Sequence, residues 1–132
     1  MINRLTDSLE FHAQALSLRA ERQRLIASNI ANADTPGYQA RDFDFAAALR
    51  AASSESAVGQ GIAQGVMNDS GRLPPVLRYA VPAQTNLDSN SVDMDRERSA
   101  SVDNSVKYEA TLRFINASVK TTMDAMKSYH QS

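Results

Sequence analysis

The side chains able to do chemistry are few in this 132-residue chain. Two histidines, His12 and His130, lie near its opposite ends. In a pair of antiparallel terminal helices they could be neighbours, an arrangement suited to a metal ion or a proton relay. No carboxylate stands at ligand spacing from either, so surface or packing roles fit them better. Asp93, Asp95 and Glu97 form an acidic run. At i, i+2 and i+4 they do not converge on one point of a helix; helix capping and salt bridges with Arg96 and Arg98 are expected instead. Arg19, Arg22 and Arg24 make a modest basic patch. A nucleic-acid reader needs more positive charge and a recognisable motif, so a solvated or subunit-bridging face is expected. The absence of Cys removes thiol catalysis, disulfides and Cys-based zinc sites. No Gly-rich phosphate loop or Ser-His-Asp arrangement is apparent. The sequence therefore points away from an enzyme, with no cofactor and no metal.

A structural role requires elements that present surfaces. The segment from Asn3 to Asn32 has the pattern of one long helix, about 45 Å at 1.5 Å per residue. Leu5, Leu9, Leu16 and Ile30 form one stripe, extended by Ala13, Ala20 and Ala27. Phe11, Leu18 and Leu25 form another. The Leu9 and Phe11 rows lie about 160° apart around the axis, which predicts contacts on two sides rather than one. Thr35-Pro36-Gly37-Tyr38 predicts a type II turn just past the helix, with Gly37 supplying positive φ.

Asp44 is a plausible N-cap for a short helix from Phe45 to about Ala52. Residues 53–73 are mostly Ser, Gly, Ala, Gln and Asn and are expected to form a loop. VLRYAVP, residues 76–82, reads as one short edge strand, and NLDSNSVD, residues 86–93, as turn chemistry. Ser91 or Asp93 can cap a last helix running to about Tyr129. Within it Tyr108, Leu112, Ile115, Val119, Thr122, Met126 and Tyr129 are spaced as a heptad seam.

The expected fold is mainly α. Long N- and C-terminal helices pair as an antiparallel hairpin or coiled coil, around a loop-rich middle with a short helix and a short β element. The expected divisions are residues 1–33, 34–92 and 93–132, together one structural unit. With 6% aromatic residues and no Trp, the core is thin. Six sizeable seam side chains contribute roughly 1.5–3 kcal/mol each at most. Ordering two 30-residue helices costs about 1–2 kcal/mol per residue before hydrogen bonding. The isolated subunit is therefore expected to be partly disordered at its termini and to order on assembly. The net charge of −1 argues against coating nucleic acid or anionic membrane. No stretch approaches the ~20 apolar residues of a membrane span, and the N-terminus lacks the form of a cleavable Sec signal.

The phrase SNIANADTPGY, residues 28–38, resembles the N-terminal signature of the axial proteins of the bacterial flagellum, in which a long helix ends in a phrase like SNNIANxxTPGY. Asn29, Ile30, Ala31, Asn32, Thr35, Pro36, Gly37 and Tyr38 carry the match. Residues 1–50 and 76–127 further resemble the proximal rod subunits within that family, while 51–75 carry little of the likeness. Two positions depart from it. Ser89 stands where many relatives have Gly, and Ser101 where they often carry a larger apolar residue.

The resemblance implies a structural subunit of the proximal rod of the basal body. It implies passage through the flagellar type III export apparatus without cleavage, assembly into a helical tube, and torque transmission. Self-association is implied, with FlgC, FlgF, FlgG, FliE, the inner-membrane ring and the export gate as partners. The terminal helices that would build the tube carry Leu5, Leu9, Leu16, Leu18, Leu25, Ile30, Tyr108, Leu112, Ile115, Val119 and Met126. Besides a small nucleic-acid-binding helical protein, which would show salt-sensitive binding to DNA, two alternatives stand beside this reading. One is another rod protein such as FlgC, whose chains usually differ from VDMDRE on entering the last helix. The other is a helical export chaperone or regulator, which would have no use for the Thr-Pro-Gly-Tyr turn.

Overall fold

The computed structural model describes residues 2–57, 77–79 and 89–130. Helix α1 spans Ile2–Ala31 and helix α3 Met94–His130, with α2 at Phe45–Ala57 between them. Strands β1 (Arg41–Phe43) and β2 (Leu77–Tyr79) form an antiparallel pair, Arg41 opposite Tyr79 and Phe43 opposite Leu77. The fold is the expected mainly helical hairpin. Contacts of Asn29 with Glu97, Gln23 with Ser101 and Asn104, and His12 with Phe114 run in opposite sequence directions, which makes α1 and α3 antiparallel.

The local signals act as their chemistry requires. The Asp44 carboxylate accepts from the Ala47 N–H at 3.1 Å and caps α2. Asp93 Oδ1 accepts from the N–H groups of Asp95 and Arg96, so Asp93 caps α3. One boundary needs correction. Helix α2 continues through Ala57, where the composition had suggested a loop from Ser53. Ser53 and Ser54 turn their hydroxyls back to the carbonyls of Arg50 and Ala51, which lets polar residues continue the helix. The 76–82 strand is described only at 77–79, and most of the expected loop, 58–73, lies outside the described residues. Strand β1 has no counterpart in the sequence expectations, because three residues with one buried side chain, Phe43, give no readable alternation.

The larger correction concerns the seam. Within the hairpin α3 turns Glu97, Asn104 and Thr111 into the interface, with Tyr108, Ile115 and Thr122 half-buried beside them. Of the expected heptad, Tyr108, Ile115 and Thr122 face α1, whereas Leu112, Val119 and Met126 are exposed. Helix α1 likewise buries Ala15, Ile26 and Asn29, a row between the two leucine stripes. Leu9, Leu16, Leu18, Leu25 and Ile30 are half-buried at its sides, and Leu5 is exposed. Apolar periodicity thus marked surfaces flanking the intrachain contact. The contact itself is held by polar pairs: Gln23 Nε2 donates to Ser101 Oγ at 2.8 Å, and Asn104 Nδ2 to Gln23 Oε1 at 3.0 Å. Ser101 is here a hydrogen-bond acceptor.

Continuing this register sets Ile2 level with about residue 124 of α3, so the last turns of α3 run past the described end of α1. Met126 and Tyr129, on the same face as Ile115 and Thr122, are 63% and 83% exposed. His12 stacks on Phe114, and His130 sits edge-on to Tyr129. The two histidines are not brought together, and no cluster fit to hold a metal ion occurs among the described residues.

Candidate functional site: the junction at the end of the first helix

The spacing of SNIANADTPGY resolves into a hydrogen-bonded elbow joining residues 28–43 to residues 90–97. Asn29 is its hub and is 2% exposed. Its Nδ2 donates to the Arg41 carbonyl at 2.9 Å and to Glu97 Oε2 at 3.2 Å. Its Oδ1 accepts from the Arg41 N–H at 3.0 Å and the Tyr38 hydroxyl at 3.2 Å. One amide side chain thus holds both backbone groups of a β1 residue and a carboxylate of α3, with every donor and acceptor used.

Asn32 acts locally. Its Nδ2 donates to the Ser28 carbonyl at 2.8 Å, and its Oδ1 accepts from Thr35 Oγ1 at 3.3 Å. The two motif asparagines lie three residues apart yet serve different partners, both within the chain. Tyr38 folds back over the helix end, its hydroxyl near both Asn29 and Ser28. The turn beneath it closes with Tyr38 N–H donating to the Thr35 carbonyl at 3.2 Å and Gly37 at φ 73°, as a type II turn requires. A Cβ at Gly37 would meet nothing within 4 Å, so the backbone angle alone selects glycine there.

The turn that follows α1 carries carbonyls outside the helix ladder that need donors. Asn90, 1% exposed, supplies them. Its Nδ2 donates to the carbonyls of Asn32, Ala33 and Thr35 at 2.8–3.0 Å, two N–H groups shared among three acceptors. Its Oδ1 accepts from the Val92 N–H at 2.8 Å. Ser91 continues the seal: its N–H donates to the Tyr38 carbonyl, and its hydroxyl accepts from the Ala40 N–H. Ala40, Phe43 and Val92 are buried around these bonds and exclude water from them.

Sequence reasoning missed Asn90 and the inward role of Glu97. Asn90 was legible only as a turn residue, because nothing in the sequence says which helix end it faces. Glu97 was assigned to salt bridges with Arg96 or Arg98. No such pair occurs among the described residues; Glu97 turns inward and is 8% exposed. Burial pushes its carboxyl above the ordinary glutamate range, with the Asn29 N–H opposing and nearby Asp42 adding to the rise. The arginines of the patch find their partners within the chain, although Arg24 stays exposed. Arg22 pairs with Asp42 at 3.2 Å, Arg24 with Glu21 at 2.8 Å, and the Arg19 guanidinium lies 4.3 Å from the centre of the Phe45 ring. Burial and the neighbouring Arg22 lower the Arg19 pKa.

The first part of this junction, residues 28–39, falls inside a segment that matches a known family. Residues 9–39 match the family described as "Flagella basal body rod protein". Over 135 residues the chain is 45% identical to the flagellar basal body rod protein FlgB of Proteus mirabilis (strain HI4320), covering 96% of this chain and 98% of that protein. The chain belongs to the FlgB family of flagellar basal-body rod proteins. FlgB of Escherichia coli (strain K12) is 40% identical over 136 residues, and FlgB of Salmonella typhimurium (strain LT2) 42% over 135, each matched over nearly its whole length. The FlgB family is one of structural rod proteins rather than a known enzyme family. Membership implies association with other rod components in the basal body. No helix among the described residues is long and apolar enough to cross a membrane.

Proposed function

We propose that the chain is a subunit of the proximal rod, non-catalytic, that assembles with copies of itself and other rod proteins into a helical tube transmitting torque. The observation that carries this is the surface distribution. The chain uses polar pairs to close its own hairpin and leaves apolar rows of both long helices outside, among them Leu5, Leu112, Val119, Met123 and Met126. A solitary protein hides such rows; a subunit contacted on several sides needs them. On this reading Leu5, Leu9, Leu16, Leu18, Leu25, Ile30, Leu112, Val119 and Met126 serve inter-subunit packing, whereas Tyr108 and Ile115, also expected on that surface, pack the hairpin itself.

The motif Asn29–Tyr38 is the rigid corner at which the tube-building part, residues 1–33 and 93–132, meets the insert 34–92. FlgC, FlgF, FlgG, FliE, the inner-membrane ring and the export gate are the partners this position would bring, with delivery by the flagellar type III apparatus. The test is complementation. In a strain lacking its own FlgB-family protein, this chain should restore swimming, and the paired substitution Leu112→Gln with Val119→Gln should abolish it while leaving soluble helicity intact. Full swimming by the double variant would contradict the assignment.

A further inference from the structure

Glu97 is an ionisable side chain buried where three elements meet. Its Oε2 accepts from Asn29 Nδ2 at 3.2 Å, and the same nitrogen donates to the Arg41 carbonyl of β1 at 2.9 Å. Strain on one of these bonds passes to the other, because both start from one amide group. Asp42, the next residue of β1, pairs with Arg22 of α1 at 3.2 Å. Strand β1 is thus held to α1 by Asn29 and Arg22, and to α3 through Glu97.

Burial weighs most on the charge of Glu97 and favours the neutral carboxyl, while the Asn29 N–H opposes it. Asp42 of β1 adds to the cost of a negative charge, and Arg96 of α3 and Arg22 of α1 reduce it. Arg22 is already engaged by Asp42. Tyr38 turns its hydroxyl to Asn29 Oδ1, the other end of the amide from Glu97. Arg41, Asp93 and Arg98 are exposed. In the strand register Arg78 and Tyr79 of β2 stand opposite Asp42 and Arg41.

We propose that this cluster is a proton-operated clamp: a proton on Glu97 locks β1 onto both long helices, and its loss lets β1 loosen from them. With the proton on, Arg22 serves Asp42 alone, and the Asn29 amide spans Arg41 and a neutral carboxyl. With it off, two carboxylates compete for one guanidinium, and that of Glu97 is cut off from water at 8% exposure. Opening the corner hydrates it. Only Asp44 separates β1 from α2, so motion of β1 is passed to that helix. The closed form holds its proton more tightly than the open one. Closure is therefore complete below the ordinary glutamate range and weakens as pH rises through the raised value of Glu97. This clamp goes beyond the rod-subunit reading and is testable on the chain in solution.

Amide exchange of the full-length chain, followed by NMR and divided by the intrinsic rate at each pH, reads the clamp at the Arg41 N–H, which donates to Asn29 Oδ1. Its protection should fall by up to about tenfold per pH unit, the limit for one proton, between the ordinary glutamate range and the raised value of Glu97. Low concentrations of urea should leave this exchange unchanged, which marks a local opening rather than global unfolding. In Glu97→Gln the protection should stay near its acid level throughout, because the amide oxygen still accepts from Asn29. In Asp42→Asn the fall should shrink, because Arg22 is free to turn to Glu97. A flat profile in the unaltered chain, a fall undiminished in either variant, or urea-sensitive exchange would each overturn the clamp, as would an Arg41 N–H without protection at any pH. Should Glu97→Gln not fold, the carboxyl carbon of Glu97 is titrated in the unaltered chain. It should change over the pH range in which Arg41 protection falls, and a different range would overturn the proposal.

Discussion

Replacing Asn29 by the isosteric aspartate isolates the hub of the junction. Asn29→Asp keeps the acceptor for the Arg41 N–H and the Tyr38 hydroxyl but loses both donations, to the Arg41 carbonyl and to Glu97. Each lost bond costs roughly 1–1.5 kcal/mol. The new carboxylate would face Glu97 across what is now a 3.2 Å contact. Two like charges at that separation repel by about 5 kcal/mol at an effective dielectric of 20, an upper bound because one carboxyl takes up a proton instead. A loss of about 3–5 kcal/mol at pH 7 is expected, a large part of the stability of a domain this size.

The sign of the pH effect follows from Glu97. Its carboxyl is raised by burial in the native chain, so its stabilising contribution is complete below the unfolded glutamate range and is lost as pH rises through the raised native value. Asn29→Asp should steepen that loss, so acidification restores stability. Glu97→Gln should flatten it, since a glutamine oxygen still accepts the Asn29 N–H. When Asn29→Asp and Glu97→Gln are combined, the new amide can donate to the new carboxylate, and about 2 kcal/mol or more should return. Urea unfolding followed by far-UV circular dichroism at pH 5 and pH 7, run as a double-mutant cycle, reads all of this. A cost below about 1 kcal/mol, or no rescue by Glu97→Gln, would refute the proposed role of Asn29.

Gly37→Val should lower stability by at least about 1–2 kcal/mol and impair swimming, whereas Gly37→Asn, which tolerates the left-handed region, should lose much less. Equal effects in thermal melts would show that φ does not select the residue. Asn90→Ala should cost about 1–3 kcal/mol, and Asn90→Asp more, since a carboxylate would then face three carbonyls. Hydrogen exchange at residues 32–38 reports whether the end of α1 frays as expected. Ser89 takes φ 60°. Ser89→Gly should gain up to about 1 kcal/mol by relieving that angle, less the entropy glycine adds to the unfolded chain; a loss would count against strain there.

The long helices, both caps and the type II turn were legible because they rest on local chemistry: the Asp44 and Asp93 carboxylates, and Pro36 before Gly37. What was not legible depended on distant partners. Leu112 and Val119 repeat as a coiled-coil seam should, yet Asn104 and Thr111, polar and inconspicuous in a sequence, occupy the interface. On the proposed assembly, the apolar periodicity marks faces that neighbouring subunits cover. Glu97 was read as a surface residue because its partner, Asn29, is 68 residues away. Asn29 and Asn32 looked equivalent by spacing, but only Asn29 reaches across the elbow.

The central claim, that this chain is built into the rod, is tested most directly by where it is found. Detergent-purified hook–basal bodies from a motile strain that expresses it should contain the chain at full length. Its absence from those particles, with the strain swimming and the chain present in the cell, would contradict the account.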